Sequence, residues 1–586
     1  MEQYYDYNSR LAVKDRLFTP LHGVRLTGGL FRRVFDDNIA FTLTQLDMAR
    51  MRYWFDIKRG IPTDAMRYNG HFEDNLKGQT ASQFLMCAGN ALRWEENPEL
   101  RARMDEIVDT IDDTAEPDGF MLPIDKRDFA TKEYPGYVRI WLTYGLVAAA
   151  RGGNPKALKM LRKWQDWFNA CPDLPVIRHL LLAFQGVVAS PSVFFTEVGK
   201  EEDMAVTRQR YEETWRLAQF IGRERDAVHI RRQPGYEPHP HGSELESFEG
   251  YLDLYRHCGA PYLLNAVKGA WELYRRDWRH PGGGIVMCEF IKAAHPGCNL
   301  IYPEYYYNEL CCTSFWLHLN QRLHRLFPDE EQYVEEMEES LYNVAIANQD
   351  GARHIRYFAH LHGRKFNAYA QPNHCCSGVG TRIFASLPEY LYTMTKETLS
   401  CDIYASSVLE WQTTAQTVTV TQKSDMPNGG QVRIAFKMAT PQKFALRLRI
   451  PAYAAASSIP IYINGKEASQ GKAGTYLVLE RTWQDGDEIA FELPMAFAMH
   501  PYSGDHGVAG YDRCAYTYGP LLMALVGPFN HEKGRVLPGN SGGLLARLKP
   551  TGTPLTFAID GVPDVTLRPY FELQREQFTC FPLFAR

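Results

Sequence analysis

Nothing in this sequence reads as a membrane anchor, a polyionic tail or a disulfide framework. No uninterrupted apolar run reaches the ~18 residues that a bilayer-crossing helix needs. The start, MEQYYDYNSRLAVKDRL, has no basic segment leading into an apolar core, so no secretory signal is visible. The expected setting is cytoplasmic or periplasmic, the choice depending on whether a secretory leader was removed before this numbering. Basic and acidic residues nearly cancel, 64 against 69 for a net charge of -5. Neither sign gathers into a stripe, so bulk electrostatics favour neither a nucleic acid nor a membrane surface as partner. Cysteine is scarce, 12 in 586 residues at irregular spacing, which excludes the small disulfide-stapled classes.

What is present is a large core. With 45% hydrophobic and 23% charged residues over 586 positions, the chain can bury several hundred side chains. Length alone predicts three or four domains of ~150 residues, or two if one is a large barrel. Up to about residue 400 the apolar residues recur three and four apart. TASQFLMCAGNALRW (80–94), ELRARMDEIVDTIDD (99–113), VRIWLTYGLVAAARG (138–152), NPKALKMLRKWQDWFNA (154–170) and PYLLNAVKGAWELYRRDW (261–278) are examples. Paired amphipathic helices over this length fit an α/α toroid. Past 400 the period becomes two. In QVRIAFKMA, Val432, Ile434, Phe436 and Met438 oppose Arg433 and Lys437, and in KFALRLRIP, Phe444, Leu446, Leu448 and Ile450 oppose Lys443, Arg447 and Arg449. IYINGKE carries an Asn-Gly hairpin turn. Such half-buried strands require a second layer, so a β-sandwich is expected. The reading is therefore multidomain α plus β: residues 1–400 a mostly helical (α/α)6 barrel with short N-terminal strands, residues 401–586 a β-sandwich. GVRLTG (23–28) and FRRVF (31–35) read as strands that pair with the C-terminal module.

Two adjacent cysteine pairs break the scatter, Cys311-Cys312 in YYYNELCC and Cys375-Cys376 in NHCCSGVG. Neighbouring cysteines rarely bridge each other. With Glu309 they offer one carboxylate and several sulfurs, a donor set suited to four-coordinate zinc. On one continuous helix Glu309 and Cys311 lie about 200° apart, whereas Glu309 and Cys312 share a face. Glu309 and Cys311 can hold one ion only where the turn is irregular or is a helix entrance, and the residues alone do not choose between Cys311 and Cys312. Cys375-Cys376 precede a helix, TRIFASLPEYLYTM, and a helix N-terminus favours thiolate. Metal ligation, metal-free or redox cysteine chemistry, and buried structural cysteines all fit this pattern.

YNELC followed by CCSGVGTRIFASLPEYLY resembles the catalytic segments of glycoside hydrolase family 127, the β-L-arabinofuranosidase-like enzymes. GVRLTGGLFRRVFDDNIAFTLTQLDMARM, FALRLRIPAYA, IYINGK and RCAYTYGPLLMAL extend the resemblance along the chain. It implies an (α/α)6 barrel followed by β-sandwich material. It further implies zinc held by Glu309, Cys311, Cys375 and Cys376, with Cys375 the nucleophile in a retaining exo-hydrolysis and Cys312 a structural residue. A retaining mechanism also needs a carboxylic acid that protonates the leaving oxygen and later activates water. By resemblance GGGIVMCEF assigns this to Glu289, though the sequence between Glu289 and Glu309 departs from the family. Glu304, in an aromatic patch five residues before Glu309, is the competitor.

Candidate substrate contacts are His239 and His241 in EPHPHGSELESFE, also readable as an exposed loop with a capping box, and His360, His362 and Arg364 in YFAHLHGRKF. Arg139 in EYPGYVRIW joins them. The cationic groups would suit a carboxylated sugar. The expected partner is thus a glycoside or oligosaccharide, a β-L-arabinofuranoside by resemblance or else an acidic pectin-derived sugar. A noncatalytic carbohydrate-binding or structural zinc protein, and a zinc-free thiol hydrolase or lyase, are the competing readings. Oligomeric state is not encoded in any pattern.

Overall fold

A computed structural model describes residues 2–131, 134–171, 189–215, 242–285, 309–502, 507–528 and 536–586. The helical part is built from two kinds of helix. Gln79–Leu92 is buried at every position, and Leu310–Leu326 and Cys375–Ala385 nearly so. Pro98–Thr114 and Pro155–Ala170 bury one stripe each, Leu100, Met104, Ile107 and Ile111 in the first, Met160, Leu161, Trp164 and Phe168 in the second. Helices buried all round must lie inside and those with one apolar stripe outside. Their alternation along the chain makes the (α/α)6 barrel. The outer helices start where local chemistry dictates. The Asn97 and Asn154 side chains accept from the backbone N–H groups of Leu100 and Ala157 at 3.0 and 2.9 Å, each followed by proline at the first helical position. Among the described residues no helix is long and apolar enough to cross a membrane.

The helices give way to strands after Tyr390. A seven-stranded sheet and a four-stranded sheet face each other, the first containing Ser407–Gln412, Thr417–Ser424 and Gln431–Lys437, the second Gln442–Ile450 and Thr475–Trp483. Val24–Leu26 forms the edge of the larger sheet, with Val24 opposite Leu409 and Leu26 opposite Ser407. The Asn-Gly turn is realised at Asn464 and Gly465, both at positive φ, 51° and 76°. The strands beyond Phe497 belong to a further ten-stranded sheet that also takes in His362–Gly363. FRRVF departs from its expected strand. It lies in the helix Gly29–Gln45, because Leu30, Phe31, Val34, Phe35, Asn38 and Phe41 keep a helical spacing that the short window concealed, and all are buried.

The expected polar face of KFALRLRIP is not solvent-facing. Arg449 is fully buried, its Nε 2.7 Å from Glu331 and its Nη1 2.8 Å from Glu338, while Arg447 reaches Asp329 at 2.9 Å. Glu331 and Glu338 sit at the start of and within the helix Gln332–Ser340, with Asp329 just before it, so ion pairs fasten sandwich to barrel. The third sheet is fastened through Asn343, whose side chain bonds the Gly282 and Pro520 carbonyls and the Leu522 N–H at 2.7–2.8 Å. Arg449→Leu leaves two carboxylates buried without their cation, a loss of about 3–5 kcal/mol. The expected outcome is a clearly lower unfolding midpoint in calorimetry, partly recovered when Glu331 and Glu338 are both changed to Gln.

Candidate active site

Two helix entrances abut at one end of the barrel. Glu309 stands just outside Leu310–Leu326 with φ -58° and ψ 126°, bridging to Phe358, while the Leu310 N–H donates to the Tyr357 carbonyl at 3.1 Å. Because Glu309 is extended rather than helical, the 200° offset does not apply, and its carboxylate shares a site with Cys311. Cys375 and Cys376 open the second helix, whose N-cap is His374; its Nδ1 accepts from the Ser377 N–H at 3.0 Å. The donor atoms of Glu309, Cys311, Cys375 and Cys376 all lie within 4.8 Å of one another. The Cys376 Sγ is 3.1 Å from Cys311 Sγ and 3.9 Å from Glu309 Oε1. Cys312 is buried in the same helix but is not part of this group.

The glycines of CCSGVG permit the approach. A Cβ on Gly378 would sit 2.1 Å from the Gln83 carboxamide, and one on Gly380 2.7–2.8 Å from Ile355 and Leu310. Gln83 Nε2 in turn donates to the Cys375 carbonyl at 3.3 Å. Side chains at these positions would push the cysteine turn away from Glu309 and Cys311.

All four donors are 4% exposed or less. Burial, and then the neighbouring cysteines, push the Cys311 thiol well above its ordinary range. Burial likewise dominates at Cys376 and outweighs any help from the helix N-terminus. A dry cluster of three sulfurs and a carboxylate is costly without a cation. It fits a four-coordinate thiophilic metal, since metal–sulfur bonds of about 2.3 Å in a tetrahedron place donors about 3.8 Å apart. The group is a metal-compatible cluster.

Sequence reading missed the surroundings. The Cys375 thiol donates to the Tyr357 hydroxyl at 3.3 Å. Tyr357, Tyr369 and His374 form a mutual ring cluster with centroids 5.1–5.3 Å apart, and Phe72 meets Tyr369 edge-on. Glu73 follows Phe72 and is buried. Desolvation pushes its carboxyl up to about 7 against the opposing hydrogen bonds from Trp54 and Asn373. The available signal was an acid directly after Phe72 in the short stretch before Leu76.

Of the other sequence candidates, Glu289, Glu304, His239 and His241 lie outside the described residues. Arg139 lies within the helix packing. It is fully buried against the outer helix Pro155–Ala170, over the Phe168 ring and donating to Ser190 at 3.0 Å and Gln165 at 3.4 Å. His360 stacks on Phe366, its carbonyl accepting from the Tyr570 hydroxyl at 2.6 Å. His362 pairs with Thr579 in the third sheet, and Arg364 is exposed. Adjacent Lys365 is buried, donating to the Ala347 and Tyr570 carbonyls. This segment docks the C-terminal sheet, which a basic sequence stretch does not reveal.

A helical toroid with paired helix entrances carrying sulfur and carboxylate, followed by a sandwich, defines a class of carbohydrate-active folds. The catalytic-domain profile of the family 127 β-L-arabinofuranosidases matches residues 23–389, and that family's middle-domain profile matches 398–495. The chain belongs to the glycoside hydrolase family 127 β-L-arabinofuranosidases. The non-reducing end β-L-arabinofuranosidase of Bifidobacterium longum subsp. longum is 22% identical over 486 residues, 73% of each chain. A family 127 β-L-arabinofuranosidase from Geobacillus stearothermophilus T6 superposes with a TM-score of 0.73 at 18% identity, covering 96% of this chain and 100% of that one. A second family 127 β-arabinofuranosidase gives 0.77 at 17% identity, covering 99% and 98%.

Gly378→Ala is expected to cost about 1–3 kcal/mol through overpacking and to weaken metal retention. Unfolding midpoint and metal content after dialysis check both.

Proposed function

We propose that this protein is a retaining exo-acting glycoside hydrolase that releases a terminal β-L-arabinofuranosyl unit or a closely related plant cell-wall sugar. The observation that carries the reading is Cys375 itself. It opens a helix, it stands among two further cysteines and Glu309, and a tyrosine hydroxyl lies 3.3 Å from its sulfur. Family membership and the β-L-arabinofuranosidase activity named for the relatives support the substrate class. We take residues 1–400 as the catalytic module and 401–586 as its β support. We take the protein's setting as cytoplasmic or periplasmic.

Zinc is the proposed ion, held by Glu309, Cys311, Cys375 and Cys376, and when bound it keeps the thiols deprotonated at neutral pH. Cys375 sulfur attacks the anomeric carbon as the bond to the leaving oxygen breaks, and a carboxylic acid gives that oxygen its proton. Glu289 is the preferred acid and Glu304 its competitor. The conjugate carboxylate then takes a proton from water, whose oxygen displaces sulfur from the same carbon, so two inversions give retention. The Tyr357 hydroxyl steadies the sulfur both as nucleophile and as leaving group, reversing its hydrogen bond once the thiol is ionised. Arg139, His362 and Lys365 are occupied in packing and docking, which favours a neutral furanoside over an acidic sugar.

Cys375→Ala is expected to lower kcat by ~10³-fold or more on an aryl β-L-arabinofuranoside while the barrel stays folded by circular dichroism. A furanoside trap should add its mass to the Cys375 peptide, and full activity in the alanine variant would overturn the nucleophile assignment. Of Glu289→Gln and Glu304→Gln, the true acid's variant should lose natural substrates with poor leaving groups far more than activated aryl glycosides. Because Cys311 and Cys376 hold their protons tightly without metal, zinc uptake at neutral pH releases protons. Affinity should therefore strengthen as pH rises, read as a buffer-dependent heat in calorimetry.

A further inference from the structure

Well along the same inner helices from the cysteine cluster lies a second polar cavity of about 110 Å³. Arg382, which lines it, is seven residues beyond Cys375 on one helix, and His318 is seven beyond Cys311 on another. At 1.5 Å per residue each is about 10 Å along its helix from the cluster. Arg256, Arg322 and Arg325 also line the cavity but are committed. Arg256 and Arg325 share Asp15, and Asp253 takes Arg256 and Arg322. Arg382 has no carboxylate within ion-pair distance among the described residues, and its guanidinium lies over the Tyr144 ring at 4.7 Å. The Tyr144 hydroxyl and His318 Nδ1, both deeply buried in the cavity wall, have no hydrogen-bond partner among the described residues. Buried Glu246 and Glu249 stand close enough to feel Arg382 and Arg322, burial pushes both carboxyls up, and Glu249 is paired with Arg322. Exposed Arg151 also lines the cavity.

A cavity with an unmatched guanidinium and idle hydrogen-bonding groups is short of an acceptor-rich, negatively charged occupant. We propose that it is a second ligand site for a small dianionic oxyanion, a phosphoryl group or a compact dicarboxylate, held by Arg382 with Tyr144 and His318. Its occupant ties together the helices Tyr134–Arg151, Leu310–Leu326 and Cys375–Ala385. The last two begin at the cysteine cluster, so the site braces the helices that carry it.

The test uses the metal-loaded full chain titrated with inorganic phosphate, and separately malonate, against sodium chloride of equal ionic strength. Saturable calorimetric binding is expected for at least one dianion, with a rise in Tm on the order of 2–4 °C at saturation and none with chloride. Response to phosphate but not malonate identifies the phosphoryl class, and the reverse the dicarboxylate class. Arg382→Met should weaken binding by at least ~10-fold, and Tyr144→Phe should weaken it several-fold with little effect on folding. Absence of saturable binding by either dianion to the unmodified chain, or affinity unchanged in both variants, overturns the proposal.

Discussion

The site rests on the close approach of two helix N-termini. Each entrance brings backbone N–H groups and a positive dipole end that favour anionic sulfur, yet burial works against ionisation and wins in the absence of a cation. The result is a set of donors poised for a metal instead of four independent acids. Holding them there requires Gly378 and Gly380 to leave room for Gln83, Ile355 and Leu310. It also requires Glu309 to remain extended beside Phe358.

The β modules serve this arrangement from outside. Arg449 and Arg447 clamp the sandwich to the helix Gln332–Ser340 and the turn before it, and Asn343 and Lys365 tie in the third sheet. The strand–loop segment between His354 and His374 is thereby pinned at several points. It carries Tyr357 to the Cys375 sulfur and places Tyr369 and His374 in the surrounding ring cluster. A segment with little regular structure is thus made precise by what it docks against.

Much of the architecture was legible because period carries it. The change from 3.6 to 2 near residue 400 separates helices from strands, and Asn97-Pro98, Asn154-Pro155 and Asn464-Gly465 mark starts and turns by local chemistry alone. Where a short window was read by itself, as at FRRVF, the period was misjudged, since the helix is revealed only over the longer span from Leu30 to Phe41. Arg447 and Arg449 were read as a solvent face because alternation reports two faces without saying what covers the second.

The sequence by itself determined the donor types, three sulfurs and a carboxylate in two short motifs, along with the class of fold and the family, since residue identity and periodicity are properties of the chain. Only the tertiary structure decided that Cys311 and not Cys312 joins Glu309, because that depends on a backbone angle at Glu309 set by its contact with Phe358. It alone shows Arg139 buried over Phe168 and His362 paired with Thr579 in the third sheet. Which way a cation points is fixed by what surrounds it, and those surroundings come from residues far away in the chain.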